Sequence, residues 1–233
     1  MTGLATDHYD WAGGREAMLR FGRPDWPTIV VAQPLFEEAN RTRRLIVTVL
    51  RLLATEGIGG ALPDLPGTGD SLVATVDARL EHWRSAFASA CARVDVPVRI
   101  LAIRGGTLVD AAARAPRFHF APVSGADLVR DLLRARRAAA LAAGDVVRAD
   151  DPRAPGPPLQ LAGNHIDRTL LKALMDAEPG TADRAYTLFP APGSPHPTLA
   201  ATTRVAVWRA SEPGDDPALA RSLADAILDW IRG

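Results

Sequence analysis

Apolar positions in this chain fall into short continuous runs separated by longer stretches with helical spacing. Thr28–Gln33 is a short run behind Pro27 and reads as a buried strand. Asn40 is predicted to cap a helix reaching about Thr55, in which Leu45, Val49, Leu52 and Leu53 share a face. Gly57 is its stop signal. Ile58–Leu62 reads as a second strand, and Pro63–Ser71 as a turn-rich loop. Ala74–Val94 reads as one long helix, with Val76, Leu80, Trp83, Phe87 and Ala90 at helical spacing.

The alternation continues. Pro97–Ile103 is a third strand, Gly106–Ala113 a short helix and Arg117–Pro122 a fourth strand. An Ala/Leu/Arg-rich helix is predicted over Gly125–Ala143, followed by a polar, Pro-rich connection over Gly144–Pro158. A short strand over Leu159–Ala162 precedes a helix capped by Asp167 and running to about Ala177. Strands over Arg184–Phe189 and Arg204–Trp208, and a helix over Pro217–Ile231, complete the pattern. Strands separated by helices imply parallel crossovers. The expected fold class is therefore α/β, a doubly wound sheet of about six parallel strands. Ligands gather at the carboxyl ends of strands in such sheets, so the residues after each strand carry the most weight.

One of those positions is unusual. The run Val98-Arg99-Ile100-Leu101-Ala102-Ile103-Arg104-Gly105-Gly106 ends an aliphatic strand in a sharp glycine turn before a helical stretch. This is the setting of the G-x-S-x-G nucleophile elbow, with Ala102 to Gly106 as its five positions. The serine position is occupied by Arg104. A guanidinium stays protonated and offers no lone pair for attack on an acyl carbon.

Composition narrows the picture in other ways. With 233 residues and 47% hydrophobic content, the whole chain (1–233) is expected to form one domain. The formal net charge of zero gives no sign of nucleic-acid binding. Lys172 is the sole lysine, which fits a coding bias rather than a function. Cys91 is the sole cysteine, so neither an internal disulfide nor a cysteine metal cluster is expected. Histidine spacing of the H-E-x-x-H kind is absent, and no metal or other cofactor is expected. No apolar stretch approaches the length of a membrane span, and a cytoplasmic location without an integral membrane segment is the expectation.

Further segments match a known pattern. Phe36-Glu37-Glu38-Ala39-Asn40-Arg41-Thr42-Arg43-Arg44 follows the first predicted strand. Asp64-Leu65-Pro66-Gly67-Thr68-Gly69-Asp70-Ser71 follows the second. The elbow, Pro122-Val123-Ser124-Gly125 with its helix, Leu161-Ala162-Gly163 and Val207-Trp208-Arg209 come in the same order. In this the chain resembles the α/β-hydrolase superfamily, and within it the exosortase A system-associated hydrolase 2 family. The resemblance implies an α/β-hydrolase-like sheet with a small cap segment over 123–183. It also implies a gene-neighbourhood link to exopolysaccharide and protein-sorting systems, without naming a substrate.

In that fold the acid follows the penultimate strand and the histidine the last. Pro190–Gly193 holds no carboxylate and Arg209–Pro213 no histidine, so ordinary Ser-His-Asp chemistry is not expected. A relocated site would have to draw on Ser124 or Ser194 with His165 or His196. The loop after the first strand would supply an oxyanion amide in the resembling family. Here it carries Glu37 and Glu38, which suit Arg104 as bidentate partners better than they suit an oxyanion. Arg130, Arg134 and Arg137 share one helix face, either a solvated basic surface or an anion-binding one. The candidate pocket is therefore Arg104, Glu37, Glu38, Asn40, Asp64 and Arg134, for an anionic small molecule or a protein partner, or closed as a buried ion pair.

Overall fold

Two strands that the apolar pattern does not announce open the chain. β1 (Leu4–Trp11) and β2 (Gly14–Phe21) form an antiparallel hairpin, registered from Leu4 opposite Phe21 to Trp11 opposite Gly14. Only Tyr9 of β1 is buried, so its sequence reads as polar; β2 buries Glu16, Met18 and Phe21. The structure, a computed structural model, describes residues 3–145, 151–189, 195–202, 205–210 and 216–233.

Next come β3 (Thr28–Ala32), α1 (Glu37–Thr55), β4 (Gly59–Pro63), α2 (Leu80–Ala92), β5 (Val98–Ile103), β6 (Arg117–Phe120) and α3 (Gly125–Ala143). A small hairpin of β7 (Leu159–Leu161) and β8 (Asn164–Ile166) precedes α4 (Arg168–Met175), β9 (Arg184–Tyr186) and α5 (Pro217–Arg232). The main sheet has the order β1-β2-β4-β3-β5-β6-β9. β2 meets β4 antiparallel, and every pairing from β4 to β9 is parallel.

Alternate residues of the central strands feed two cores, as the two-residue period of a strand requires. Val30, Ala61, Ile100 and Ala102 pack with α2, α3 and α4 on one face. Ile29, Val31, Leu62, Leu101 and Ile103 pack with α1 and α5 on the other. The sheet is thus covered on both faces and mostly parallel, in the doubly wound arrangement that the alternation of elements implies. With its antiparallel opening hairpin and its elbow after β5, it is α/β-hydrolase-like.

Several boundaries differ from the expectation. Among the described residues the parallel strands number five rather than six, because Val205 and Ala206 are irregular and Val207–Arg209 is a single 3-10 turn. Leu159–Leu161 pairs only with β8 and stays outside the main sheet. The predicted Ala74–Val94 helix is a 3-10 turn at Thr75–Asp77 followed by α2. The Gly106–Ala113 helix is two 3-10 turns, Arg104–Leu108 and Asp110–Ala112. Asn40 does not cap α1. The helix starts three residues earlier, with Phe36 in the cap position and Glu37 and Glu38 in the first turn, where carboxylates favour the helix dipole. Ser124, Asp167 and Asp216 are side-chain caps, each accepting from a backbone N–H of its helix's first turn.

The carboxyl edge of the sheet carries unusual backbone. Phe36 after β3, Arg104 after β5 and Ala121 after β6 have φ of 57°, 52° and 49°. Non-glycine residues seldom adopt this left-handed region, and such positions cluster where function or tight packing demands them. Gly106 explains why the turn after β5 is so tight. A Cβ there would lie 2.0 Å from the carbonyl oxygen of Ala32, so the β3 and β5 termini touch backbone to backbone.

Candidate functional site

Arg104 sits at the apex of the turn immediately after β5, where the elbow reading placed it. Its side chain is not displayed to solvent but folds down among other groups. Nη2 donates to Oε1 of Glu38 at 2.9 Å and Nε to Oε2 at 3.2 Å, a two-pronged contact. The guanidinium carbon lies 4.9 Å from the centre of the Trp208 ring, within cation–π range. Asp131 of α3 adds a second carboxylate at 3.8 Å. The Arg104 and Glu38 side chains are only 10% and 15% exposed, so the pair is largely out of water.

The other predicted residues divide. Glu37 turns away from Arg104 and pairs with Arg41 at 2.5 Å, and Arg41 donates onward to the Trp208 carbonyl at 3.2 Å. Arg134 reaches the same Asp131 at 3.3 Å but is 67% exposed, and Arg209 approaches it at 3.5 Å. Arg130 and Arg137 are exposed as well, and Arg130 pairs with Asp127 of its own helix. Arg104, Glu38, Asp131 and Trp208 are therefore brought together, with Glu37 and Arg134 at the margin.

Asn40 and Asp64 lie elsewhere. Asn40 is exposed on α1. Asp64 is buried in the loop after β4, where Oδ2 accepts from the Asp70 amide at 3.1 Å. Gly69, with φ of 54°, lies against that carboxyl, leaving no room there for a side chain. Ser71 Oγ accepts from the Gly67 and Val73 amides, and Thr68 Oγ1 from the Leu65 amide. The D-x-x-G-x-G-x-S segment is thus a self-bonded loop. Burial pushes the Asp64 carboxyl above its ordinary value, opposed by the Asp70 amide and then by Arg43.

The described residues proposed for a relocated site lie on different elements. Ser124 Oγ caps α3 and donates to Asp127 Oδ2. His165 is exposed on β8, and Ser194 lies outside the described residues, as do Pro190–Gly193 and Ser211–Asp215. Cys91 is buried, and burial pushes its thiol up to about 12, far from a nucleophilic thiolate.

A second polar cluster lies under the sheet. His119 of β6 and Asp110 are both fully buried, with Nε2 and Oδ2 at 2.8 Å. Arg117, two residues earlier on the same strand face, lies 3.6 Å from Asp110 and donates to the Ala111 and Ala113 carbonyls. The alternation Arg117-Phe118-His119-Phe120 was the available signal: a two-residue period puts the guanidinium and the imidazole on one face and both phenyl rings on the other.

Among the described residues, no set of three metal-ligating side chains converges and no helix is long and apolar enough to cross a membrane. No known family profile and no curated protein matches the chain by sequence. Solved structures do resemble it. A hypothetical protein from Pseudomonas aeruginosa has TM-score 0.49 and 12% identity, over 80% of this chain and 77% of that one. A provisionally assigned hydrolase from Agrobacterium vitis has TM-score 0.46 and 15% identity, over 80% and 78%. A lidless α/β serine hydrolase from Xanthomonas campestris has TM-score 0.43 and 17% identity, over 54% and 64%.

Proposed function

We propose that this is an α/β-hydrolase-like protein without serine-esterase activity, whose elbow is sealed by an ion pair rather than armed with a nucleophile. The observation that carries the reading is Arg104 at the elbow apex, held by Glu38 and Trp208. A carboxylate beside the elbow opposes a developing oxyanion, so the same contact that suits Arg104 is wrong for acyl transfer. Between the two versions of the site, a closed pair and an open anion pocket, the geometry favours the closed one. The charge of Arg104 is already met by Glu38, with Asp131 close by, and little is left to attract an external anion. In this reading 123–183 serves as the cap over the carboxyl edge. The proposed cytoplasmic location and association with exopolysaccharide or sorting systems rest on the sequence motifs and composition.

The test is turnover of p-nitrophenyl esters and acyl thioesters by the full chain. The expected result is a rate at background, several orders of magnitude below an activated serine. Arg104→Ser should not raise it, since the Glu38 carboxylate beside the apex opposes a developing oxyanion. Robust turnover that Ser124→Ala or His196→Ala abolishes would overturn the reading and establish a relocated site.

A further inference from the structure

A cavity of about 350 Å³ opens beside the elbow on its β4 side, and Arg104 is not among its walls. It lies between the segment after β3, the first turns of α1 and the loop after β4, with the β7–β8 turn contributing Ala162 and Asn164. Its size falls within the range of small-molecule sites, and its wall is divided between apolar and polar groups. Leu35, Phe36, Leu65 and Val73 supply the apolar part.

The polar groups are mostly committed to the protein itself. Thr68, Ser71 and Thr75 hold the loop after β4, and Asn164 donates to the Ala162 carbonyl. Glu37 is neutralised by Arg41, and Arg43 lies 3.8 Å from Asp64. Gln33 is the exception. It follows β3 directly, is 5% exposed, lines the cavity, and its Oε1 has no hydrogen-bond partner among the described residues. A buried amide left unmet is destabilising, and such groups call for a partner from outside the chain or for ordered water. Asn40 and Arg43, one turn apart on α1, place an amide and a guanidinium in the same wall.

We propose that this cavity binds an uncharged small molecule whose hydroxyl or primary amide is received by Gln33. A carboxamide donates and accepts at once, so its complement is a group that does the same. The walls hold no unanswered charge, which selects against an ionic ligand. This inference is independent of whether the elbow is catalytic.

The experiment is ligand-observed NMR with thermal shift on the full chain at millimolar probe. One arm uses neutral polyols (glycerol, glucose, N-acetylglucosamine) and the other neutral amides (propionamide, benzamide). Acetate and inorganic phosphate are the charged controls. The expected result is binding from one neutral arm, weakened at least about tenfold by Gln33→Leu. The free Gln33→Leu protein should melt no lower than wild type, because the substitution removes an unmet buried amide. Ala74→Trp, which crowds the cavity from the segment after the β4 loop, should also abolish binding. No binding by any neutral probe, binding indifferent to both variants, or binding confined to acetate and phosphate would overturn the proposal.

Discussion

At the scale of single residues, Arg104 is held by its neighbours. It stands in a left-handed backbone conformation and meets Glu38 in a largely dry setting. Removing one partner of a buried ion pair strands the other, at a cost of about 3–5 kcal/mol. Arg104→Ala is therefore expected to destabilise the fold on that scale, and Glu38→Gln by less, because the amide still accepts a hydrogen bond. Denaturant titration of both single variants and the double variant should return a coupling energy of about 0.5–3 kcal/mol. Additive effects would mean that the pair is not formed in solution. Acetate or phosphate should leave the Arg104→Ala melting temperature unchanged; specific stabilisation of wild type alone by these anions would point back to an open anion pocket.

At the scale of elements, the site depends on how closely β3 and β5 end. The elbow fits because Gly106 lets its backbone rest on the Ala32 carbonyl. Gly106→Ala would drive a methyl group into that backbone oxygen, and neither strand can yield within a parallel sheet. The expected loss is about 3 kcal/mol, the upper end for overpacking. Equilibrium unfolding measures it, and a loss within experimental error would mean that the two strand ends are farther apart. Sequence reading located the strands flanking this junction because both are mostly aliphatic runs. It mistook the start of α1, since Asn40 is a good capping residue by type. The chain turns earlier, at Phe36, through a backbone conformation that side-chain preference does not encode.

At the scale of the whole molecule, the opening hairpin is fastened to the loop after β4 by Tyr9, whose Oη donates to the Asp64 backbone carbonyl at 2.5 Å. Within the hairpin, Trp11 Nε1 donates to Glu16 at 3.4 Å. Burial is the main cause that raises the Glu16 carboxyl above its ordinary 4.5, and the charge of Asp64 adds to it. An acid raised by folding binds its proton more tightly in the native state. Its ionisation therefore weakens the fold as pH rises through 4.5 and beyond, and the penalty is absent below that value. Glu16→Gln should accordingly melt higher than wild type at neutral pH, with the difference shrinking towards zero as pH falls below 4.5. Melting curves across that range check the sign. A difference that grows at acid pH would mean that the carboxylate stabilises the native state.

By itself the sequence determined the alternation of strands and helices, the doubly wound class, the elbow after β5 and the absence of a hydroxyl at its apex. These depend on local features: apolar runs, periodicity and a glycine turn of fixed length. Tertiary structure decided the rest. The β1–β2 hairpin exists because β2 adds to β4, a long-range pairing that its polar, half-exposed residues do not announce. Glu38 rather than Glu37 meets Arg104 because adjacent helical residues lie about 100° apart around the axis, and only the placement of α1 decides which faces the elbow. Trp208 lies over the guanidinium from a 3-10 turn where a strand was expected. Gln33 read as the end of a strand, and only the packing of three loops around it left its amide buried and facing a cavity.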